Sequence, residues 1–203
     1  MGELTPSGGD ILIDGVSVSG LSVSQRSRMG LSRSYQKNNL FEDLTVRENL
    51  TLAAAAAQGK IAWLVKDSFR DKGVKEAVAE AAELVSLTDL LDTPVKAASY
   101  GNRRQLEVGI ALATRPKLLL MDEAMAGMNP KDIDEMVEFL LRLKEEEKMS
   151  IIAMVEHIMR AVAGLAERVM VMHQGAKFVD APTKEALSDP KVVEVYLGHP
   201  KGE

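Results

Sequence analysis

The sequence predicts an α/β fold: a mostly parallel sheet with flanking helices, into which an all-helical segment is inserted. Two continuously apolar stretches, "KLLLMD" ending at Asp122 and "SIIAMV" ending at Val155, read as buried strands of the kind found in parallel sheets. Helical patterns separate them, as crossover connections require. Between Thr45 and about Val95 strand signals give way to alanine-rich helical periodicity.

Taken in order, "PSGGDILIDGVSVSG" alternates Ile11 and Ile13 with polar residues between Gly and Pro punctuation, which predicts a short strand and a turn. "MGLSRSYQ" predicts a second strand ending at Gln36. Thr45 with Glu48 three residues on forms a capping box opening "TVRENLTLAAAAAQG", whose alanines favour ordered helix. In "KEAVAEAAELVSLTDLL" and the residues just before it, Val74, Val78, Ala81, Leu84 and Val85 are expected on one helical face. "SYGNRRQLEVGIALATRP" reads as a helix closed by Pro116, and "KLLLMD" follows as a strand. Asn129 is a good N-cap with Pro130 at the first helical position. The helix they open is expected to bury Ile133, Met136, Val137, Leu140 and Leu141, before a solvated run from Lys144 to Lys148. "SIIAMVEH" is read as another buried strand, and Ile158 to Ala166 as a short helix. "RVMVMHQGAKFVDA" predicts two strands around a Gln-Gly turn, and "TKEALSDPKVVEVYLG" two small helices.

Composition excludes several classes. The 203 residues are 46% hydrophobic and 27% charged, which fits a globular protein. No run approaches the roughly 20 apolar residues of a membrane span. The start, "MGELTPSGGD", has neither the basic region nor the apolar stretch of a secretory signal. The absence of cysteine rules out disulfides, thiolate metal sites and a Cys nucleophile, and is compatible with a reducing cytoplasm. A net charge of −5 argues against nucleic acid as the main partner.

The chemistry begins at the end of "KLLLMD". Asp122 and Glu123 fall at the carboxyl edge of a parallel sheet, where open α/β folds bind ligands. An Asp there suits magnesium, and a neighbouring Glu suits a water attacking a phosphate. An isolated match of this kind is as often a plain strand end. Upstream, Ser99 and Gly101 stand at a helix N-terminus, whose free N–H groups and dipole favour an anion. Ser99 alone is equally an ordinary helix cap. Gln36 follows one strand and His157 another, and neither is informative singly. His173 and His199 have no comparable context.

Together these segments resemble the ABC-type ATPases. Ala98, Ser99, Tyr100, Gly101 and Asn102 occupy the signature positions, followed by a helix and a Walker B-like strand with Asp122 and Glu123. Gln36 in "SRSYQKNNLFEDLTVREN" resembles the Q-loop, "AGMN" at residues 126–129 the D-loop, and His157 the switch histidine. "FEDLTVRENL", "SYG", "GMNP" and "DPKVVEVYLG" look most like subunits of branched-chain amino-acid importers. The resemblance spans Gly8 to Gly198.

It implies a P-loop NTPase-like fold with the start of the core and the Q-loop over residues 1–44. The helical subdomain would cover 45–97, and the signature helix, Walker B, D-loop, H-loop and remaining core 98–198. It implies ATP and Mg as cofactors. Asp122 and Gln36 would hold magnesium, Glu123 polarise the water, Gln36 also sense the γ-phosphate and His157 stabilise the transition state. Ser99, Tyr100, Gly101 and Asn102 would face ATP bound to an opposite subunit, with Ser99 and Gly101 in contact. The implied partners are transmembrane permease subunits and a second ABC ATPase subunit, the same or different. The location would be cytoplasmic, on the inner face of the cell membrane through the permease.

The pattern also has departures. Asn102 stands for the usual Gln, Ala98 for Leu, Ala124 for Pro, Ile110 for Arg, and Asn129 for a frequent Asp. No G-x-x-x-x-G-K-[ST] occurs, so the resemblance is to an N-terminally truncated form lacking the Walker A region. A cradle making even four charge-assisted hydrogen bonds contributes about 6 kcal/mol, or about four decades of affinity. The chain alone is therefore expected not to bind or hydrolyse ATP efficiently. The family's strand order implies a gap between residues 151–155 and 169–172, where the Walker A strand would lie. The alternative is a non-catalytic module that docks on a permease or completes a partner's ATP site. A chromosome-maintenance ATPase would need a long coiled coil and no Gln36 segment, and is set aside.

Overall fold

The computed structural model describes residues 2, 4–34, 40–60, 69–146 and 151–197. The chain divides into two compact units, Met1–Ala126 with Leu143–Val155, and Gly127–Arg142 with Glu156–Glu203.

The first unit opens with a hairpin of β1 (Leu12–Ile13) and β2 (Val16–Ser17). Asp14 and Gly15, at φ 50 and 77, supply the two left-handed residues of a tight hairpin turn. Asp10 closes its base by accepting from Ser17 Oγ at 2.6 Å and from Ile11 N–H at 2.9 Å. Helix α1 (Val23–Arg28) was not among the expected elements; a Ser22–Gln25 capping box starts it.

A parallel sheet follows, in the order β3 (Leu31–Ser34), β4 (Leu118–Asp122) and β5 (Ile151–Val155). Central β4 buries Leu119 and Met121 completely. The expectation of a buried strand fails for part of β5: Ala153 and Val155, which share a face, are exposed, Val155 at 64%. Among the described residues β5 pairs with β4 alone, so it is an edge strand rather than an interior one.

Every described helix or 3-10 turn between residues 45 and 97 belongs to this unit. Helix α2 (Val46–Ala57) has the predicted capping box, Thr45 Oγ1 accepting from Glu48 N–H at 3.2 Å. Helix α3 (Lys72–Leu84) is capped by Asp71 and buries Val74, Val78, Ala81 and, just past its end, Val85. Leu84 is only half-buried, at the margin of that stripe, and Ala77 and Ala82 are buried in addition. Helix α4 (Tyr100–Leu112) packs tightly on this pair: a Cβ at Gly109 would lie 3.1 Å from Val85 Cγ2 and 3.3 Å from Leu50 Cδ2. The ends of the helical stretch are tied together by Val46 N–H to Thr93 O, Arg47 N–H to Leu91 O and Val95 N–H to Leu44 O, at 2.8–3.1 Å.

Most of α5 (Pro130–Glu146) lies in the second unit. Asn129 Oδ1 accepts from Lys131 and Asp132 N–H at 3.0 Å, the predicted N-cap. The buried stripe is Ile133, Met136, Phe139, Leu140 and Leu143; Val137 and Leu141, expected inside, are half-buried. Helix α6 (Met159–Leu165) approaches α5 closely at Gly164, where a Cβ would meet Val137 Cγ1 at 3.1 Å. Strands β6 (Arg168–His173) and β7 (Ala176–Pro182) form an antiparallel hairpin around Gln174 and Gly175, both at positive φ. Helices α7 (Thr183–Ser188) and α8 (Pro190–Leu197) follow. Among the described residues β6 pairs only with β7.

Candidate functional site

β4 delivers the carboxylate pair because its apolar run ends at Asp122. The strand's last rung runs from Glu123 N–H to Val155 O at 2.8 Å. Glu123 then takes φ 47, a left-handed conformation that is uncommon for a residue with a Cβ. The chain reverses there, with Ala126 N–H returning to Glu123 O at 3.0 Å. Glu123 thus opens a tight turn directly after Asp122, at a cost of about 1 kcal/mol or more in backbone strain.

Asp122 has a cationic neighbour that sequence reasoning missed. Arg33, on β3 beside Leu120, places Nη2 at 2.6 Å from Asp122 Oδ2. Both side chains are about a quarter exposed, so solvent screens the pair. Parallel strand register was the signal available: "LSRS" beside "LLLMD" sets Arg33 one position before the level of Met121.

At the start of α4, Ser99 Oγ accepts from Asn102 N–H at 3.1 Å, so Ser99 is an N-cap as its sequence context suggested. A Cβ at Gly101 would meet no described atom within 4 Å, so the space before that glycine is open within the chain. Arg103 holds the segment leading into the helix, donating to Lys96 O at 2.8 Å and Ala98 O at 3.2 Å. Tyr100 is engaged locally, its hydroxyl donating to Ala126 O at 3.0 Å.

His157 belongs to the second unit, and its side chain is 63% exposed. Glu156 beside it is buried to 1% and accepts from the backbone N–H of His157 and Ile158 at 3.0 and 3.2 Å, which fixes the exit from β5. Gln36 lies outside the described residues. The first unit therefore carries Ser99 to Asn102, Asp122 and Glu123 together.

Among the described residues, no group of three or more His, Asp and Glu could hold a metal by itself. Magnesium is characteristically held by one or two carboxylates, with substrate phosphates and water completing its shell. Asp122 and Glu123 fit that sparse donor set.

Known proteins similar to this chain are numerous. The family model described as "ABC transporter" matches residues 1–126. The chain is 32% identical over 202 residues to the high-affinity branched-chain amino acid transport ATP-binding protein BraF of Pseudomonas aeruginosa, covering 97% of this chain and 79% of that protein. It is 33% identical over 202 residues to the corresponding protein LivG of Escherichia coli K12, with the same coverage of 97% and 79%. A crystal structure of an ATP-binding cassette of an ABC transporter in its ADP conformation matches with a TM-score of 0.79 and 28% identity, over 98% of this chain and 80% of that one.

Proposed function

The chain belongs to the ABC transporter family, and on that premise we propose that it is an ATP-binding and ATP-hydrolysing subunit of an importer for branched-chain or other hydrophobic amino acids. The observation that carries this reading is the tight turn at the end of β4, which sets Asp122 and Glu123 beyond a parallel sheet in the same unit as the Ser99-capped helix.

Asp122 would hold magnesium, which when bound neutralises charge on the phosphates. In a subunit that holds its own nucleotide, Glu123 would orient the attacking water and accept its proton. Ser99 Oγ and the N–H groups around Gly101 donate to phosphate oxygens of ATP held on a second subunit, where the open space before Gly101 leaves room. His157 steadies charge that develops on the transferred phosphoryl group, and Gln36 reports the γ-phosphate. The chain's similarity to transport ATP-binding proteins supports attachment through transmembrane permease subunits at the inner face of the membrane; no described helix is long and apolar enough to cross a membrane.

The phosphate-binding loop motif G-x-x-x-x-G-K-[ST] is not among these 203 residues. Titrated with magnesium-ATP in a calorimeter, they should not saturate at millimolar nucleotide. A micromolar dissociation constant would show that the phosphate cradle is built from these residues after all. The decisive experiment mixes the chain with an intact ABC subunit and permease and follows ATP hydrolysis. Ser99→Arg should stop turnover by filling the phosphate contact, whereas Glu123→Gln should leave it intact, because the partner supplies the carboxylate at its own nucleotide. If neither substitution has an effect, this chain is a docking module and takes no part in the ATP site.

A further inference from the structure

Between the start of α4 and the turn after Glu123 lies a polar cluster of which the roles above use only Tyr100. Arg104 and Glu107 are only 9% and 10% exposed, and Arg104 Nη1 donates to Glu107 Oε2 at 2.7 Å. The same guanidinium donates through Nε and Nη2 to the Tyr100 hydroxyl at 3.1 and 3.0 Å. It also lies 5.2 Å from the centre of the Tyr100 ring. Tyr100 passes the connection on, its hydroxyl donating to the Ala126 carbonyl at 3.0 Å, and Arg104 Nη2 reaches that oxygen at 3.4 Å. A continuous chain of hydrogen bonds thus runs from Glu107 through Arg104 and Tyr100 to the backbone three residues beyond Glu123.

Stability alone is a poor reason for this cluster. A buried ion pair roughly breaks even against apolar residues of the same volume. Here Glu107 Oε1 is buried without a hydrogen-bond partner, and burial pushes the Glu107 carboxyl above its ordinary range despite Arg104. What the cluster does achieve is geometric. Two donors converge on one carbonyl, and the guanidinium that aims them is fixed on both sides.

We infer that Arg104 and Tyr100 are positioning residues that lock the Glu123–Ala126 turn to the first turn of α4, so that the carboxylate-bearing turn and the helix end with Ser99 and Gly101 move as one body. The consequence for catalysis rests on the proposed function; the lock itself does not. In the mixture with an intact subunit the helix end faces the partner's nucleotide, so the lock would couple the turn to turnover by steadying Ser99 and Gly101 against that nucleotide.

The test compares the full chain with Tyr100→Phe, which keeps the ring but loses the hydroxyl, and with Arg104→Lys, which keeps the charge but loses the fork. Amide hydrogen exchange is read on peptides covering residues 123–126, with α2 and β4 as internal references. Each variant should speed exchange in the turn by about tenfold and leave the references unchanged, the loss expected for one or two net hydrogen bonds. The double variant should exceed the larger single effect only slightly, because both act through one connection. Unchanged exchange in the turn, or a uniform rise across the whole unit, would overturn the lock. In the mixture with an intact subunit, Tyr100→Phe should lower kcat with KM for ATP unchanged; an unaltered kcat beside a loosened turn would overturn the coupling. If the wild-type mixture does not hydrolyse ATP, the transporter reading fails and exchange alone still decides the lock.

Discussion

The strands β4 and β6 are similarly apolar in sequence, "LLLMD" against "RVMVMH", yet they meet different fates. In β4, Leu119 and Met121 are fully buried, and the strand has a parallel neighbour on each side. In β6 only Val171 is buried, while Met170 and Met172 are 57% and 49% exposed. Strand chemistry says that a segment suits a pleated surface; it does not say whether anything covers that surface. Apolar content is therefore a guide to strand existence and a poor guide to the energy a strand contributes.

The largest expected effect lies inside β4. Leu119→Ala should cost about 3–5 kcal/mol through lost burial and a residual cavity, read as a shift in the denaturant midpoint of the first unit. A cost below about 1 kcal/mol would mean that β4 is no more supported than β6, and the contrast would collapse.

Next comes the polar part of the same unit. Arg104→Ala leaves the Glu107 carboxylate buried without its cation and should cost about 3 kcal/mol near neutral pH. The sign with pH follows from the raised Glu107 pKa, which burial causes and the Arg104 hydrogen bond and charge partly oppose. A carboxyl whose folded pKa lies above its unfolded value favours the fold when protonated, so its contribution improves as pH falls through the raised value and is lost as pH rises. Without Arg104 the pKa climbs further. The deficit of the variant relative to wild type should be full at neutral pH and shrink on acidification toward the ordinary carboxylate range. Paired urea titrations across that window check it, and a deficit that grew in acid would contradict the assignment.

A smaller effect should attend the cap of α2. Thr45→Ala removes one half of the capping box and should cost about 1 kcal/mol in thermal unfolding. The smallest belongs to the hairpin: Met172→Ser should stay within about 0.5 kcal/mol of wild type, since little of that side chain leaves water. If the hairpin substitution proved as damaging as Leu119→Ala, the exposed face would be an interface that forms in solution, detectable as a second species by sedimentation.

Much of the candidate site was legible because its signals are local. Asp122 and Glu123 stand where an apolar run stops, and Ser99, Thr45 and Asn129 are caps whose hydrogen bonds close within three residues. Helix α1 escaped notice although its capping box has the same form, because only six residues follow and they lack apolar periodicity. The stripe on α5 was drawn through Val137 and Leu141, whereas Phe139 and Leu143 are the buried members; the choice depends on which face meets a neighbour. Arg33 beside Asp122 is separated from it by 89 positions, and Tyr100 from Ala126 by 26. No periodicity within a single element encodes such pairings.

Taken alone, the sequence determined the elements other than α1, the caps of α2 and α5, the Gln174–Gly175 turn and the family, because each depends on the conformational preferences of a few adjacent residues or on motif order. Tertiary structure alone decided which faces are covered, that β5 is a half-open edge, and that Arg104 and Tyr100 grip the turn behind the carboxylates. These depend on burial and on distances between elements remote in sequence. Charge burial and strand coverage acquire an energy only when the second element arrives.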